Sequence, residues 1–216
     1  MDSLSLWPHT LRPCTASPSP HSGSAAATLA NSSLARKTMT ASDLPPVTLV
    51  LGGARSGKSS YAERLAESGP NACVYLATAT AGDDEMAERI AEHQRRRGGR
   101  WRTEEAPLDL AGALKANAKA GSVVLVDCLT LWLSNVMFAE LDVKNECEKL
   151  VAALPDLGGP VIFVSNEVGL GIVPDNALAR RFRDEAGRLN QAVAAAAQSV
   201  VFMAAGLPLQ MKPSSQ

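Results

Sequence analysis

A chain of 216 residues, 46% hydrophobic and 20% charged, is long enough to bury the core of one substantial domain. A net charge of -1 excludes the strongly basic surface expected of a nucleic-acid or anionic-membrane binder. No apolar run approaches the ~18 residues that span a bilayer, and Cys14, Cys73, Cys128 and Cys147 lack the Cys-x-x-Cys spacing of a zinc or redox site.

The four cysteines read as reduced thiols of a cytoplasmic protein, with Cys73 and Cys128 serving as small hydrophobes inside apolar runs. Aromatics are only 4% of the chain, so the core must be built from Ala, Val and Leu. In residues 1–45, Ser, Thr, Pro and Ala supply 26 positions, and no helical or strand period persists. Such a stretch cannot bury enough apolar surface to offset its ordering entropy, and it is expected to be disordered. It reads as a tail, as an over-long start with Met39 the true first residue, or as a targeting segment; few basic residues (Arg12, Arg36, Lys37) support the last.

From residue 46 onward, short apolar runs alternate with longer amphipathic stretches. Strands are expected at 47–51, 73–77, 123–126, 161–164 and 200–203, each β-branched-rich and nearly continuous, as strands buried on both faces are. Helices are expected at about 58–69, 83–97, 107–119, 143–154 and 176–198. The alternation predicts an α/β fold, a doubly wound and mostly parallel sheet with helices on both faces, over residues 46–216.

The first strand runs into Gly52-Gly53-Ala54-Arg55-Ser56-Gly57-Lys58-Ser59, a match to G-x-x-x-x-G-K-[ST] flanked by the strand and helix that motif requires. Glycines let backbone N–H groups curl inward toward phosphate oxygens, and the start of the following helix adds its positive end. Lys58 is expected to reach the β- and γ-phosphates of a purine triphosphate, and Ser59 to ligate Mg²⁺. The expected fold is therefore of the P-loop, RecA-like kind. The third expected strand, Val123-Val124-Leu125-Val126, ends in Asp127. Asp127 suits a second Mg²⁺ contact, or an N-cap for a following helix.

Of three histidines, His9 and His21 lie in the N-terminal stretch, which leaves His93. At helical spacing, Met86, Ile90 and His93 share a face. Arg95, Arg96 and Arg97 follow, with Arg100 and Arg102 close behind. An imidazole kept neutral by nearby guanidinium groups suits attack on phosphorus; the bland alternative is a solvated arginine-rich face.

The ordered set of motifs is more specific than any one of them. After the phosphate loop come Tyr75-Leu76-Ala77-Thr78-Ala79, then Asp84-Glu85-Met86 with Arg89-Ile90 and His93, then Trp101-Arg102-Thr103-Glu104-Glu105. Val164-Ser165-Asn166-Glu167-Val168-Gly169-Leu170-Gly171-Ile172-Val173-Pro174 closes the set. Over about residues 46–212 this resembles the bifunctional adenosylcobinamide kinase / adenosylcobinamide-phosphate guanylyltransferase family of cobalamin biosynthesis. The resemblance implies two reactions, phosphorylation of adenosylcobinamide and transfer of GMP from GTP to the product through a guanylyl-histidine, with His93 as the matching histidine. It implies Mg²⁺ with GTP and ATP as substrates, a corrinoid partner and a homotrimer. Nucleotide contacts would fall on residues 52–59, Ala77, Thr78, Ala79, Gln94, Arg95, Arg96, Arg97, Glu105 and Asp127.

Glu105 would accept from a guanine edge, or else be a solvated loop acid. Asn166 and Glu167 would lie near the corrinoid or phosphate, or else cap a helix. Where relatives often carry Arg-Pro soon after the histidine, Arg97 is followed by Gly98-Gly99, which bears on how guanine is held. Two other readings compete: a small-molecule kinase with no covalent histidine, and an ATP-binding module acting on DNA or protein. Against the last, residues 46–216 hold 18 Lys and Arg against 20 Asp and Glu.

Overall fold

The computed structural model describes residues 44–79 and 99–213, all within one compact unit, Lys37–Gln216. Of the stretch 1–45 expected to be disordered, residues 1–43 lie outside the described residues, as does the expected helix at 83–97; Leu44, at the end of that stretch, is instead buried in the same core as Ala62 and Ala66.

Seven strands form one sheet in the order β3-β2-β4-β5-β1-β6-β7. They are β1 Val47–Gly52, β2 Ala72–Ala77, β3 Trp101–Glu105, β4 Ser122–Asp127, β5 Val161–Asn166, β6 Ser199–Ala204 and β7 Leu207–Lys212. All neighbours pair in parallel except β6 with β7. The described helices are α1 Lys58–Glu67, α2 Leu110–Asn117, α3 Leu129–Phe138, α4 Val143–Ala153 and α5 Ala177–Ala196. Two cores flank the sheet. Ala62 and Ala66 of α1 pack with Val50, Tyr75, Leu125, Ile162 and Val201 on one face. The other face is larger: Leu49, Leu76, Val126 and Phe163 meet Leu110 and Leu114 of α2, Trp132 and Leu133 of α3, Leu150 of α4, and Leu189 and Val193 of α5. Helices on both faces of a mostly parallel sheet make this the doubly wound P-loop fold read from the sequence.

Every expected strand is present, one or two residues longer, and the expected helices at 58–69, 107–119, 143–154 and 176–198 appear with trimmed ends. Capping sets several ends: the Asp109 side chain accepts from Gly112 N, Asp142 from Asn145 N, and Asn176 from Leu178 N and Ala179 N.

Three elements were not anticipated. α3 reads Leu129-Thr130-Leu131-Trp132-Leu133-Ser134-Asn135-Val136-Met137-Phe138, so apolar throughout that no helical period stands out. β3 is a polar edge strand, with Arg102, Thr103 and Glu105 exposed. β7 is exposed along all six residues and carries Pro208, which an edge strand tolerates. The β6–β7 hairpin turns through Ala205 (φ 51°) and Gly206 (φ 80°), the paired positive angles of a tight two-residue turn.

Candidate active site

In a parallel sheet every strand points its carboxyl end the same way, and ligands collect at that edge. Here β1 ends at Gly52, β2 at Ala77, β3 at Glu105, β4 at Asp127 and β5 at Asn166. Gly52 is level with Asn166, and Ala77 with both Glu105 and Asp127. The fold therefore gathers the phosphate-loop residues, Ala77, Thr78, Ala79, Glu105, Asp127, Asn166 and Glu167 along one edge. His93, Gln94, Arg95, Arg96 and Arg97 lie outside the described residues, in the stretch joining β2 to β3.

The phosphate loop is shaped by close approach. A Cβ on Gly52 would collide with the Met203 carbonyl and lie 2.8 Å from Ser56 Oγ, and its φ of 151° also suits glycine. Gly53 faces open space, with nothing within 4 Å of a Cβ position. The loop is propped from the hairpin, where Gly206 N donates to Ser56 O at 3.0 Å. Gly57 occupies the N-cap of α1 with no side-chain cap, so the first N–H groups of that helix stay available to an anion. Ser56 Oγ is buried with no hydrogen-bond partner among the described residues, a polar atom of the kind a bound ligand satisfies.

Lys58 is buried, and its Nζ donates to Gly53 O at 2.5 Å across the loop it is expected to serve. Burial lowers its pKa from the ordinary 10.5, opposed by the charges of Cys128 and Asp127. Burial, with Asp127 adding to it, raises the pKa of Cys128. The Asp127 carboxylate makes no hydrogen bond or ion pair among the described residues, although its backbone carbonyl accepts from Thr78 N at 3.4 Å, and the N-cap of α3 falls on Cys128, so the alternative capping role for Asp127 is not realised. Ser59, half-buried in the first turn of α1, and Asp127 present hard oxygen donors of the type Mg²⁺ takes.

Around Asp127 the polar groups are fully engaged. Thr78, wholly buried, donates from Oγ1 to Cys128 O at 2.8 Å and accepts from Cys128 N at 2.7 Å. Its side chain is a brace between β2 and β4, so any nucleotide contact there must use backbone. Asn166 Nδ2 donates to Thr130 Oγ1 at 2.7 Å, Asn190 Nδ2 donates to Asn166 O at 3.4 Å, and Asn190 Oδ1 accepts from Ser165 Oγ at 2.7 Å. Glu167 accepts from Gly169 N at 2.5 Å, holding the turn after β5, and its own N–H donates to Gly52 O. Neither Asn166 nor Glu167 caps a helix; the N-cap of α5 is Asn176. Glu105 is exposed at the end of β3 rather than in a loop.

Sequence reasoning passed over Thr130, Asn135 and Asn190. Their signal was available: an Asn or Thr within an apolar run must find hydrogen-bond partners when buried.

Comparison with known proteins matches this arrangement to one family. The family model for cobinamide kinase / cobinamide phosphate guanyltransferase, CobU, aligns with residues 48–211. The bifunctional adenosylcobalamin biosynthesis protein CobP of Pseudomonas aeruginosa is 53% identical over 166 residues, covering 76% of this chain and 96% of the relative. CobU of Salmonella typhimurium is 40% identical, covering 76% of this chain and 98% of its own length. Among solved structures, the flagellar accessory protein FlaH of Methanocaldococcus jannaschii overlays with a TM-score of 0.47 at 12% identity, covering 79% of this chain and 80% of its own. The RadB recombinase gives 0.41 at 18% identity over 74% of each chain. With its phosphate loop, its carboxyl edge and 48–211 all in the matched span, the chain belongs to the cobinamide kinase / cobinamide phosphate guanyltransferase family.

Proposed function

We propose that the protein phosphorylates adenosylcobinamide and then transfers GMP from GTP to the product, with His93 carrying the guanylyl group between them. The observation that carries this reading is the phosphate loop, which holds Lys58 within reach of the Asp127 charge, a Ser56 hydroxyl with no partner among the described residues, and the uncapped start of α1. Each group there favours an anionic ligand with several oxygen acceptors.

The β- and γ-phosphates of GTP would sit in the loop against backbone N–H groups and Lys58, which draw charge away from the departing pyrophosphate. The α-phosphorus would then be left for the neutral His93 imidazole, forming a P–N bond as the bond to pyrophosphate breaks. The cobinamide phosphate oxygen would attack next and restore the imidazole. Dividing the transfer in this way avoids bringing two bulky anions together in one step. Ser59 and Asp127 would hold Mg²⁺, which when bound neutralises phosphate charge. Glu105 would accept from the guanine edge. ATP or GTP would supply the phosphoryl group in the first reaction. Assembly as a homotrimer would give cover to apolar side chains that stand exposed here, among them Leu170, Ile172, Leu207 and Leu209.

The test is incubation with α-labelled GTP and Mg²⁺. The expected result is a protein-bound label, acid-labile and base-stable, that His93→Ala abolishes while nucleotide binding persists. A wild-type protein that stays unlabelled overturns the covalent step and leaves a kinase.

A further inference from the structure

The ladder between β2 and β3 ends where Ala106 N donates to Ala77 O at 2.8 Å. Past that point the two strands continue as irregular backbone, and their buried carbonyls need donors from elsewhere. α3 supplies them. Asn135 Nδ2 donates to Thr78 O at 2.7 Å and to Pro107 O at 3.1 Å, spending both amide protons on two different strand exits. One turn earlier on the helix, Trp132 Nε1 donates to Leu108 O at 2.8 Å.

We infer that Asn135 is a positioning residue for guanylyl transfer: its amide staples the β2 and β3 exits together and so stations Ala79 and Glu105 relative to Asp127. The linkage to Asp127 runs through Thr78, whose carbonyl Asn135 binds and whose hydroxyl is locked to the backbone of Cys128. Among the described residues Asn135 makes no hydrogen bond to the phosphate loop, which is held instead by β1 and the β6–β7 turn. The staple therefore governs the part of the edge that would receive the guanosine and its α-phosphorus, more than the part that grips the β- and γ-phosphates. The neighbouring donor on α3, Trp132, is committed to Leu108 O.

This inference rests on the guanylyltransferase reading above. Its test replaces the amide donors in Asn135→Asp, which is isosteric, and Asn135→Ala, and compares single-turnover labelling from α-labelled GTP with cobinamide phosphorylation. A displacement of about 1 Å in a reacting geometry costs ~10²-fold. Both variants are expected to lose roughly 10- to 100-fold in labelling rate, at least tenfold more than they lose in phosphorylation. Asn135→Gln, which keeps the donors on a longer stem, is expected to recover part of the loss. Labelling within about twofold of wild type in Asn135→Asp, a parallel fall in both activities, or no recovery in Asn135→Gln would each overturn the inference. Wild-type protein labelled in the same experiment separates that result from a failure of the guanylyltransferase reading itself.

Discussion

The phosphate loop and the turn from β4 into α3 both sit at the carboxyl edge of the sheet, and they treat their polar groups in opposite ways. In the loop, Ser56 Oγ has no partner among the described residues, the first N–H groups of α1 have no side-chain cap, and Lys58 bends back to a carbonyl of its own loop. Around the turn, Thr78 and Asn135 are doubly engaged, and Asn166 binds Thr130. A site that binds anions keeps donors in reserve, at a cost to the empty fold. A scaffold that fixes geometry cannot leave donors idle, because each buried unpaired group costs about 1–3 kcal/mol. The contrast separates residues that meet ligand from residues that hold those residues still.

The sharpest way to break this contrast is at Lys58. Lys58→Met keeps the aliphatic stem and deletes the charge. We expect kcat/KM for both nucleotide-dependent reactions to fall by ~10²–10³-fold, as when a donor to a developing anion is removed. The empty protein should be no less stable, since the variant relieves a buried ammonium. The pH dependence has a defined sign. Burial lowers the pKa of Lys58, so between that lowered folded-state value and 10.5 the folded state binds fewer protons here than the unfolded chain does. Unfolding free energy therefore rises with pH across that interval, and Lys58→Met should flatten the rise. Denaturant titrations at several pH values would show it; a variant that melts well below wild type would contradict the idea that the loop is strained by its own readiness.

Thr78 is the corresponding test on the scaffold side. Thr78→Val preserves shape but strands the buried Cys128 N–H and C=O. A loss of about 1–3 kcal/mol is expected, visible as a drop of about 2–4 °C in Tm for each kcal/mol in a domain of this size. Activity per folded molecule should fall less than in Lys58→Met. Near-equal losses of stability and activity at the two positions would erase the distinction.

The same contrast explains what could be read from the sequence. The phosphate loop was legible because its chemistry is local: eight consecutive residues with glycines at fixed offsets and a strand before them. Strands β1, β2, β4, β5 and β6 were legible because burial on both faces makes their runs continuously apolar. Asp127 was legible as the polar end of such a run. α3 was not, because a helix buried nearly all round shows no polar stripe, and its ten residues pass for an extension of strand chemistry. β3 and β7 failed for the converse reason, since edge strands exposed to solvent lack the apolar run. Thr78 was picked out for its place at a strand end, yet its partner lies 50 residues away on Cys128. Asn135 bonds at separations of 57 and 28. Long-range pairing of that kind has no local pattern, so scaffold residues stay hidden where ligand-binding residues show.

Cys147 offers the smallest effect and a control away from this edge. It lies on α4 and lines an apolar cavity of about 580 Å³ with Val151, Leu189 and Ala192. Burial, then the charges of Glu185, Glu146 and Glu148, push its thiol up from 9.0 to about 11. At pH 8 only a thousandth or so of it is thiolate, the form that alkylates. Iodoacetamide should therefore modify Cys147 slowly, about tenfold faster for each pH unit until near 11, and Cys147→Ser should change neither reaction by more than about twofold. The raised pKa leaves folding stability untouched below pH 9 and erodes it only as pH climbs toward 11, where the unfolded chain ionises first. Rapid alkylation at pH 7 would mean that α4 and α5 part readily, and the larger of the two cores would then be looser than the packing around Leu150 and Leu189 implies.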